Sequence, residues 1–318
     1  MMQIDRTIPA ITIAAGLAFL LGLVLPEWIL FLSSVAIGKA LVVLGLLLLW
    51  RCGVVPFGQA LFFAGGGYGV GLLGHYYGVT DIFVLTVVAA VVGGGLSALA
   101  GLLLARYRGI FFTMLSMAFS MILYGVLVKT EALGSTDGIG LKRVTILGWK
   151  PEEQFELAMY IYAVLLGMVC AVLMHVYLQS VPGRLSEPIR GNEVRVEYLG
   201  ISVQRLMHVN LIIAGIFAGL GGAVTAFSVG HIDPEMAYWT TSGGFVFIAI
   251  LAGTGSVLAP FLGAVIFEVI RTLAFAYVPD YWQIILGGAL LLSIFFLPGG
   301  LWSLFAMMKG GKKDGYDH

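Results

Sequence analysis

Long apolar runs alternate with short polar connections along almost the whole chain. A helix needs about 20 mostly apolar residues to cross the hydrocarbon core of a membrane, or fewer if it is broken or re-entrant. Two longer polar connections, 130–156 and 180–206, interrupt the series. The pattern predicts crossing or re-entrant helices at 8–30, 36–50, 57–75, 82–105, 109–129, 157–179, 207–230, 241–255, 259–278 and 282–304.

The amino-acid composition agrees with a membrane-embedded chain. Of 318 residues, 60% are hydrophobic and only 11% are charged, and the mean hydropathy is +1.01. A soluble domain of this length needs far more charge on its surface. We therefore predict an all-α polytopic membrane protein with roughly eight to ten transmembrane helices, forming a single domain over residues 1–318.

Charge placement predicts which loops lie inside the cell. The 17 basic and 17 acidic residues balance, which disfavours a nucleic-acid partner. Lys and Arg favour cytoplasmic loops, which predicts cytoplasmic termini, a periplasmic loop at 130–156, a cytoplasmic segment at 180–206 and a cytoplasmic tail at 305–318. The inner set is then Arg6, Arg51, Arg106, Arg108, Arg184, Arg190, Arg195, Arg205, Lys309, Lys312 and Lys313, and the outer set is Lys39, Lys129, Lys142, Arg143 and Lys150.

Two predicted segments, 36–50 and 241–255, are short and lead directly into stretches marked by Gly or Pro, 55–74 and 252–264. Broken helices at membrane depth face protein or a water-filled path. Small residues also let helices pack closely, so the pattern leaves pathway lining and ordinary packing both open. The pathway or structural candidates are Gln59, Gly66, Gly67, Gly253, Gly255 and Ser256.

The polar segment 185–206 combines charge with helical spacing. Val196, Leu199, Val203 and Leu206 recur at spacings of three and four, which predicts a short amphipathic helix over 192–206. Pro188 and Gly191 are expected to bound it on its N-terminal side. The residues alone leave two interpretations: a helix that docks another protein, or a helix that lies at the bilayer surface.

Four stretches resemble one family. "GRLSEPIRGNEVRVEYLGISVQRL" (183–206) is similar to the cytoplasmic signature of LivM-type permease subunits of branched-chain amino-acid ABC importers. "FGQALFFAGGGY" (57–68), "GSTDGIGL" (134–141) and the stretch from "HIDPEMAYW" to "FEVIR" (231–271) follow the same family order. The chain departs from the pattern at Ser135, Pro56 and 186–188, and the last departure predicts that the cytoplasmic segment begins with a turn.

The resemblance implies partners and roles. It implies a LivH-like second permease, two ATP-binding subunits that hold ATP and Mg, and a periplasmic substrate-binding protein, with branched-chain amino acids or similar small polar solutes as cargo. This chain would carry no cofactor of its own. The residues implied to couple it to the ATPase are Arg184, Arg190, Asn192, Glu193, Arg195, Glu197, Leu199 and Gly200.

Further candidates have two interpretations each. Glu268 and Arg271 lie three residues apart within a predicted span, as an ion pair or as contacts for a zwitterionic solute. Turns at Asp137–Gly138 and Asp233–Pro234 are surface turns or docking points for the binding protein.

No chemistry of the chain's own is predicted. The histidines are too scattered for a metal site, and we find no phosphate-binding loop or catalytic motif, so no enzymatic activity is expected. The rival hypotheses are an ion-coupled secondary transporter, with Glu268 or Asp137 as its acid, and an integral-membrane enzyme. The first would need no ATPase, and the second would need clustered polar groups.

Overall fold

The computed structural model describes residues 7–149, 151, 154–297 and 299–303, so the predicted tail 305–318 lies outside the described residues. The helices are α1 (Thr7–Gly22), α2 (Glu27–Arg51), α3 (Gln59–Tyr76), α4 (Ile82–Leu104), α5 (Gly109–Lys129), α6 (Phe155–Gln179), α7 (Val181–Gly191), α8 (Glu193–Glu197), α9 (Val203–Val229), α10 (Trp239–Ala252), α11 (Ala259–Tyr277) and α12 (Trp282–Phe296). Two short strands, β1 (Ile139–Gly140) and β2 (His231–Ile232), pair antiparallel.

The predicted all-α membrane fold is confirmed. Within the described part, seven helical runs are long and apolar enough to cross a membrane: α2, α4, α5, α6, α9, α11 and the run that begins with α12. Two apolar helices, α1 and α10, are shorter. The glycine-rich α3 has 18 residues and is almost wholly buried.

The prediction for the first two segments is wrong. The stretch 8–30 is two elements, because α1 ends at Gly22 and Pro26 precedes the start of α2. The predicted short segment 36–50 is the C-terminal part of a continuous 25-residue helix. Lys39, assigned to an outer loop, therefore lies inside α2. The helix accepts these polar residues because the Ser34 hydroxyl donates to the Leu30 carbonyl (2.8 Å) and Lys39 has an acidic partner in α11.

Helix α9 lies at the centre of the bundle and touches its neighbours backbone to backbone. A Cβ on Gly93 of α4 would lie 2.9 Å from the Cα of Gly219 in α9, and a Cβ on Gly66 of α3 would collide with the Gly219 carbonyl from another side. Gly38 of α2 meets Gly221 in the same way. Glycine permits this approach because it has no side chain to separate the helices.

The two ends of α9 lie at opposite ends of the bundle. Its first turn follows α7 and α8, and its last turn leads into strand β2. At about 1.5 Å per residue, its 27 residues span ~40 Å, enough to cross the hydrocarbon core. The helix pair α7–α8 and the β1–β2 ribbon therefore lie on opposite membrane faces, while the assignment of cytoplasm to the α7–α8 face stays a prediction.

Two glycines of α4 test the importance of this packing. Gly93→Ala places a methyl group 2.5 Å from the Gly215 carbonyl oxygen, whereas a Cβ on Gly95 has no heavy atom within 4 Å. We expect Gly93→Ala to lower the free energy of unfolding by ~1–3 kcal/mol. Gly95→Ala should be neutral or stabilising, by up to ~1 kcal/mol. Thermal unfolding in detergent compares them, and equal effects would contradict the central position of α9.

Candidate functional site

The polar segment between α6 and α9 forms two short helices, and its structure corrects the prediction in three places. Helix α7 begins at once after α6, so the segment does not begin with a turn, and Pro188 lies inside α7 instead of bounding a later helix. The side chain of Ser180 caps α7, and Pro182 in its first turn has no need of an N–H partner.

The predicted continuous helix over 192–206 is also wrong. Glu193–Glu197 forms α8, and α9 begins only at Val203. Asn192 caps α8 by accepting the Arg195 N–H (3.1 Å). Gly200, at φ +79°, then turns the chain, and Ser202 caps α9. Val196, Val203 and Leu206 are all buried, but Val196 belongs to α8 and the other two belong to α9. Their helical spacing therefore does not indicate a single helix.

One buried side chain ties this helix pair to three spans. Asn210, in the third turn of α9, is fully buried, and its amide nitrogen donates to the Ser186 hydroxyl of α7 (3.0 Å) and to the Cys52 sulfur at the end of α2 (3.1 Å). Its carbonyl oxygen accepts the Tyr177 hydroxyl of α6 (2.6 Å). Burial raises the pKa of the Cys52 thiol, so the sulfur stays neutral at physiological pH. We call these four residues the Asn210 node.

Helix α8 is held by an ion pair. Arg108, in the loop between α4 and α5, donates through Nε to the Glu193 carboxylate (2.6 Å) and through Nη1 to the Ala105 carbonyl (2.7 Å). Glu193 is thus engaged within the chain. Gly183 of α7 lies against the end of α6, where any Cβ would collide with the Tyr177 carbonyl. Together with the Asn210 node, these contacts fix the pose of α7 and α8.

The solvent-facing side of the α7–α8 pair exposes both charged and apolar side chains. Tyr198 is 87% and Leu199 67% exposed at the turn after α8. Of the eight predicted coupling residues, seven are exposed, and Glu193, which is paired with Arg108, is half-buried. Two of the exposed ones also shape the segment, since Asn192 caps α8 and Gly200 forms the turn. The other exposed ones are Arg184, Arg190, Arg195, Glu197 and Leu199.

Sequence reasoning missed Asn210, Ser186, Cys52, Tyr177 and Arg108. A single asparagine in the apolar run of α9 is a detectable signal, because an amide at membrane depth needs partners. Nothing in the sequence names those partners, which come from three distant helices.

The glycine candidates for a pathway lie in packing contacts. A Cβ on Gly66 would collide with α9, and one on Gly67 would lie 3.0 Å from the methyl group of Met236. Gly253 has φ +79° and packs against the backbone of 299–300, and a Cβ on Gly255 would lie 2.8 Å from the Trp302 ring.

The two polar candidates differ. The Ser256 hydroxyl accepts the Leu258 N–H just before α11 (3.3 Å). Gln59, by contrast, is fully buried with no hydrogen-bond partner for either amide atom among the described residues.

The four docking candidates come together at the other face. Strand β1 follows Asp137 and Gly138, strand β2 precedes Asp233 and Pro234, and the pairing of Ile139 with Ile232 brings the two turns side by side. Asp137 is exposed, Asp233 caps the following turn by accepting the Met236 N–H (3.3 Å), and Pro234 is buried.

Three charged residues of α2 and α11 form one cluster. Glu268 of α11 is buried and pairs with Lys39 of α2, while Arg271 reaches the other Glu268 oxygen at 3.7 Å. Arg271 is partly exposed and lies over the Trp282 ring (5.9 Å). Glu268 therefore joins α2 to α11. Its partner Lys39 was not predicted, because the charge placement along the sequence assigned Lys39 to the outer side. No group of three metal-ligating side chains occurs within the described residues.

Comparison with known sequences identifies the family. Residues 28–294 match the family described as "Branched-chain amino acid transport system / permease component". The chain belongs to this family. It is thus a multi-pass permease of the bacterial inner membrane.

Two curated relatives extend the match. The chain is 27% identical over 272 residues to the "High-affinity branched-chain amino acid transport system permease protein LivM" of Escherichia coli K12, and 28% identical to the protein of that name from Salmonella typhimurium LT2. Each alignment covers 78% of this chain and 64% of the relative, so the chain spans a little under two thirds of the length of these relatives. No solved structure matches.

The charge cluster generates a testable prediction for this permease. Removing one partner of a buried ion pair leaves an uncompensated charge, so Glu268→Leu or Lys39→Leu should each destabilise the fold by ~3–5 kcal/mol. The double change Lys39→Leu with Glu268→Leu should recover most of that loss, because no buried charge is left unpaired and the remaining Arg271 side chain is 46% exposed. Thermal unfolding of the four proteins measures the coupling, and additive losses would contradict a structural pair.

Proposed function

We propose that this permease is the transmembrane subunit of an ATP-driven importer and that separate ATPase subunits act on it through α7 and α8. The observation that carries the proposal is the attachment of an exposed, charged helix pair to three spans through the Asn210 node. A helix that merely lay on the bilayer would need no buried polar link to α2, α6 and α9. The resemblance of residues 183–206 to the family's coupling signature supports the same interpretation.

The contacts indicate how a force exerted by an ATPase subunit on α7 and α8 would reach the spans. Force applied at Tyr198 and Leu199 reaches α7 and α8, which are held by the Arg108–Glu193 pair and by Asn210. Asn210 lies on α9, and α9 packs closely against α2, α3 and α4. ATP binding that draws two ATPase subunits together would thus shift an inward/outward equilibrium of the spans.

The remaining partners follow from the family and the outer surface. A second, LivH-like permease completes the pathway, and ATP and Mg are held by the ATPase subunits. A periplasmic substrate-binding protein docks at the β1–β2 ribbon, where Asp137 is exposed beside Asp233. Branched-chain amino acids are the proposed cargo, since both curated relatives carry that description. The permease performs no chemical step.

Disrupting the exposed end of α8 tests this function. We expect Leu199→Asp to reduce the ATPase recovered with the permease by about tenfold or more, as loss of a central interface anchor does. Leu147→Asp is the matched control, because Leu147 is 80% exposed in the loop that joins the ribbon to α6. Pull-down from cells that co-express the sister permease and ATPase measures recovery.

The same preparations distinguish the outcomes. The sister permease should be recovered at an unchanged level with Leu199→Asp, which shows that the fold survives. Equal ATPase recovery from the two variants would place the docking surface elsewhere. A wild-type permease that purifies without an ATPase and still moves solute into vesicles would instead be an ion-coupled transporter.

A further inference from the structure

Helix α5 carries a polar stripe although it is mostly apolar and only four of its 21 residues are buried. Thr113, Ser116, Ser120 and Tyr124 follow spacings of three and four, so they share one face of the helix. Along the 21 residues of α5, this stripe runs from the second turn to beyond the middle. It lies against two stretches of chain that enter the membrane from opposite faces.

The first irregular stretch, residues 53–58, enters from the α7–α8 face. The Thr113 hydroxyl donates to the Val55 carbonyl (2.9 Å), and Gly58 packs so closely on Ser116 that a Cβ there would collide with the Ser116 carbonyl. Ser116 is seven residues into α5, which corresponds to about 10 Å of depth. Helix α3, which starts at Gln59, therefore begins inside the membrane.

The second stretch, residues 233–238, contains a short 3-10 helix (Pro234–Ala237) and enters from the ribbon face. The Ser120 hydroxyl donates to the Ala237 carbonyl (2.8 Å), and the rings of Tyr124 and Tyr238 lie 4.9 Å apart. Helix α10, which starts at Trp239, thus also begins at depth. Its Ser242 hydroxyl accepts the Ala60 N–H of α3 (2.9 Å), so the N-terminal turns of α3 and α10 meet.

Gln59 lies at this junction and is unsatisfied. It is the first residue of α3, it is fully buried, and neither amide atom has a hydrogen-bond partner within the described residues. Among the described residues, no N-cap side chain accepts a backbone N–H at the start of α3 or of α10. Burying a polar amide without a partner costs free energy, which a purely structural position avoids by carrying an apolar side chain.

We propose that the junction of α3, α10 and the α5 stripe is the solute passage, and that Gln59 receives the carboxylate of an amino-acid solute there. The N-terminal turns of α3 and α10 are in contact here, since the Ser242 hydroxyl accepts the Ala60 N–H. The partial positive charge of helix N-termini favours an anion beside them. The Gln59 amide nitrogen adds a neutral donor that can release its ligand again. Irregular backbone at this depth fits a passage, since it is tolerated where it lines a cavity or is buried in protein.

The inference rests on the proposed function but can fail separately, because its test measures how accessible position 59 of this chain is to water-soluble reagents. The variant Gln59→Cys is made in membrane vesicles from cells that also make the partner subunits, and the unchanged chain, with buried Cys52 and Cys170, gives the background. The matched control is Ser97→Cys: Ser97 is equally buried in α4, but its hydroxyl donates to the Gly94 carbonyl (2.9 Å).

Two water-soluble thiol reagents of opposite charge probe the site. With ATP present, the sulfonate methanethiosulfonate should label Gln59→Cys about tenfold faster than Ser97→Cys, because only a passage opens to water. It should also label Gln59→Cys about fivefold faster than the trimethylammonium reagent does. Equal labelling of both variants would overturn the passage, and faster labelling by the cation would overturn the carboxylate site.

A near-isosteric change supplies a second test. Gln59→Met removes the amide, so the midpoint of thermal unfolding should stay the same or rise while ATP-driven amino-acid uptake falls about tenfold. A marked fall in the midpoint would show that the amide has a structural partner and would overturn the proposal. If the unchanged chain shows no ATP-driven uptake, the proposed function fails, and the labelling experiment still decides whether the passage exists.

Discussion

Backbone contact between α9 and its three neighbours is the constraint on which the remaining structure depends. Gly219 meets α3 on one side and α4 on another, and Gly221 meets α2. Helices that approach this closely have few alternative positions, because the packed state leaves no side chains to repack. The centre of the permease is therefore rigid, and whatever holds the ends of α9 moves with it.

Polar groups at membrane depth differ in whether another group of the chain satisfies them. Most are satisfied within the chain: Asn210 forms three hydrogen bonds, Lys39 pairs with Glu268, and hydroxyl groups of α5 bind the carbonyls of Val55 and Ala237. These contacts join helices, and none of them is free for solute. Gln59 is the contrast, since its amide lies buried at the junction of two helix N-termini without a described partner.

The sequence predicted the parts of the fold that hydropathy determines locally. The predicted span at 109–129 coincides with α5, and 82–105 differs from α4 by one residue. The prediction failed at α2 because this span contains the polar residues Ser34 and Lys39, whose partners are the Leu30 carbonyl and Glu268, and Glu268 lies 229 residues beyond Lys39. The all-α class was thus predictable, whereas the continuity of α2 was not.

The candidate site was predictable in location and not in detail. Family resemblance singled out the segment 183–206, and Glu197 and Leu199 are exposed there, while its coupling role stays a prediction. The helical period was misassigned because Val196 and Val203 are both buried but lie in separate helices, α8 and α9, which the turn at Gly200 connects. The importance of Asn210, and the inward role of Glu193, depend on tertiary contacts that no local pattern contains.

The central claim is that α7, α8 and α9 move as one body when ATP acts on the permease. Spin labels at Arg195→Cys in α8 and Val229→Cys at the far end of α9 report this by pulsed dipolar spectroscopy of the assembled complex. The account predicts the same distance with and without ATP, while a second pair, Arg195→Cys with Thr240→Cys in α10, changes as the passage opens. A shift of about one helical turn (~5 Å) in the first distance would contradict the account.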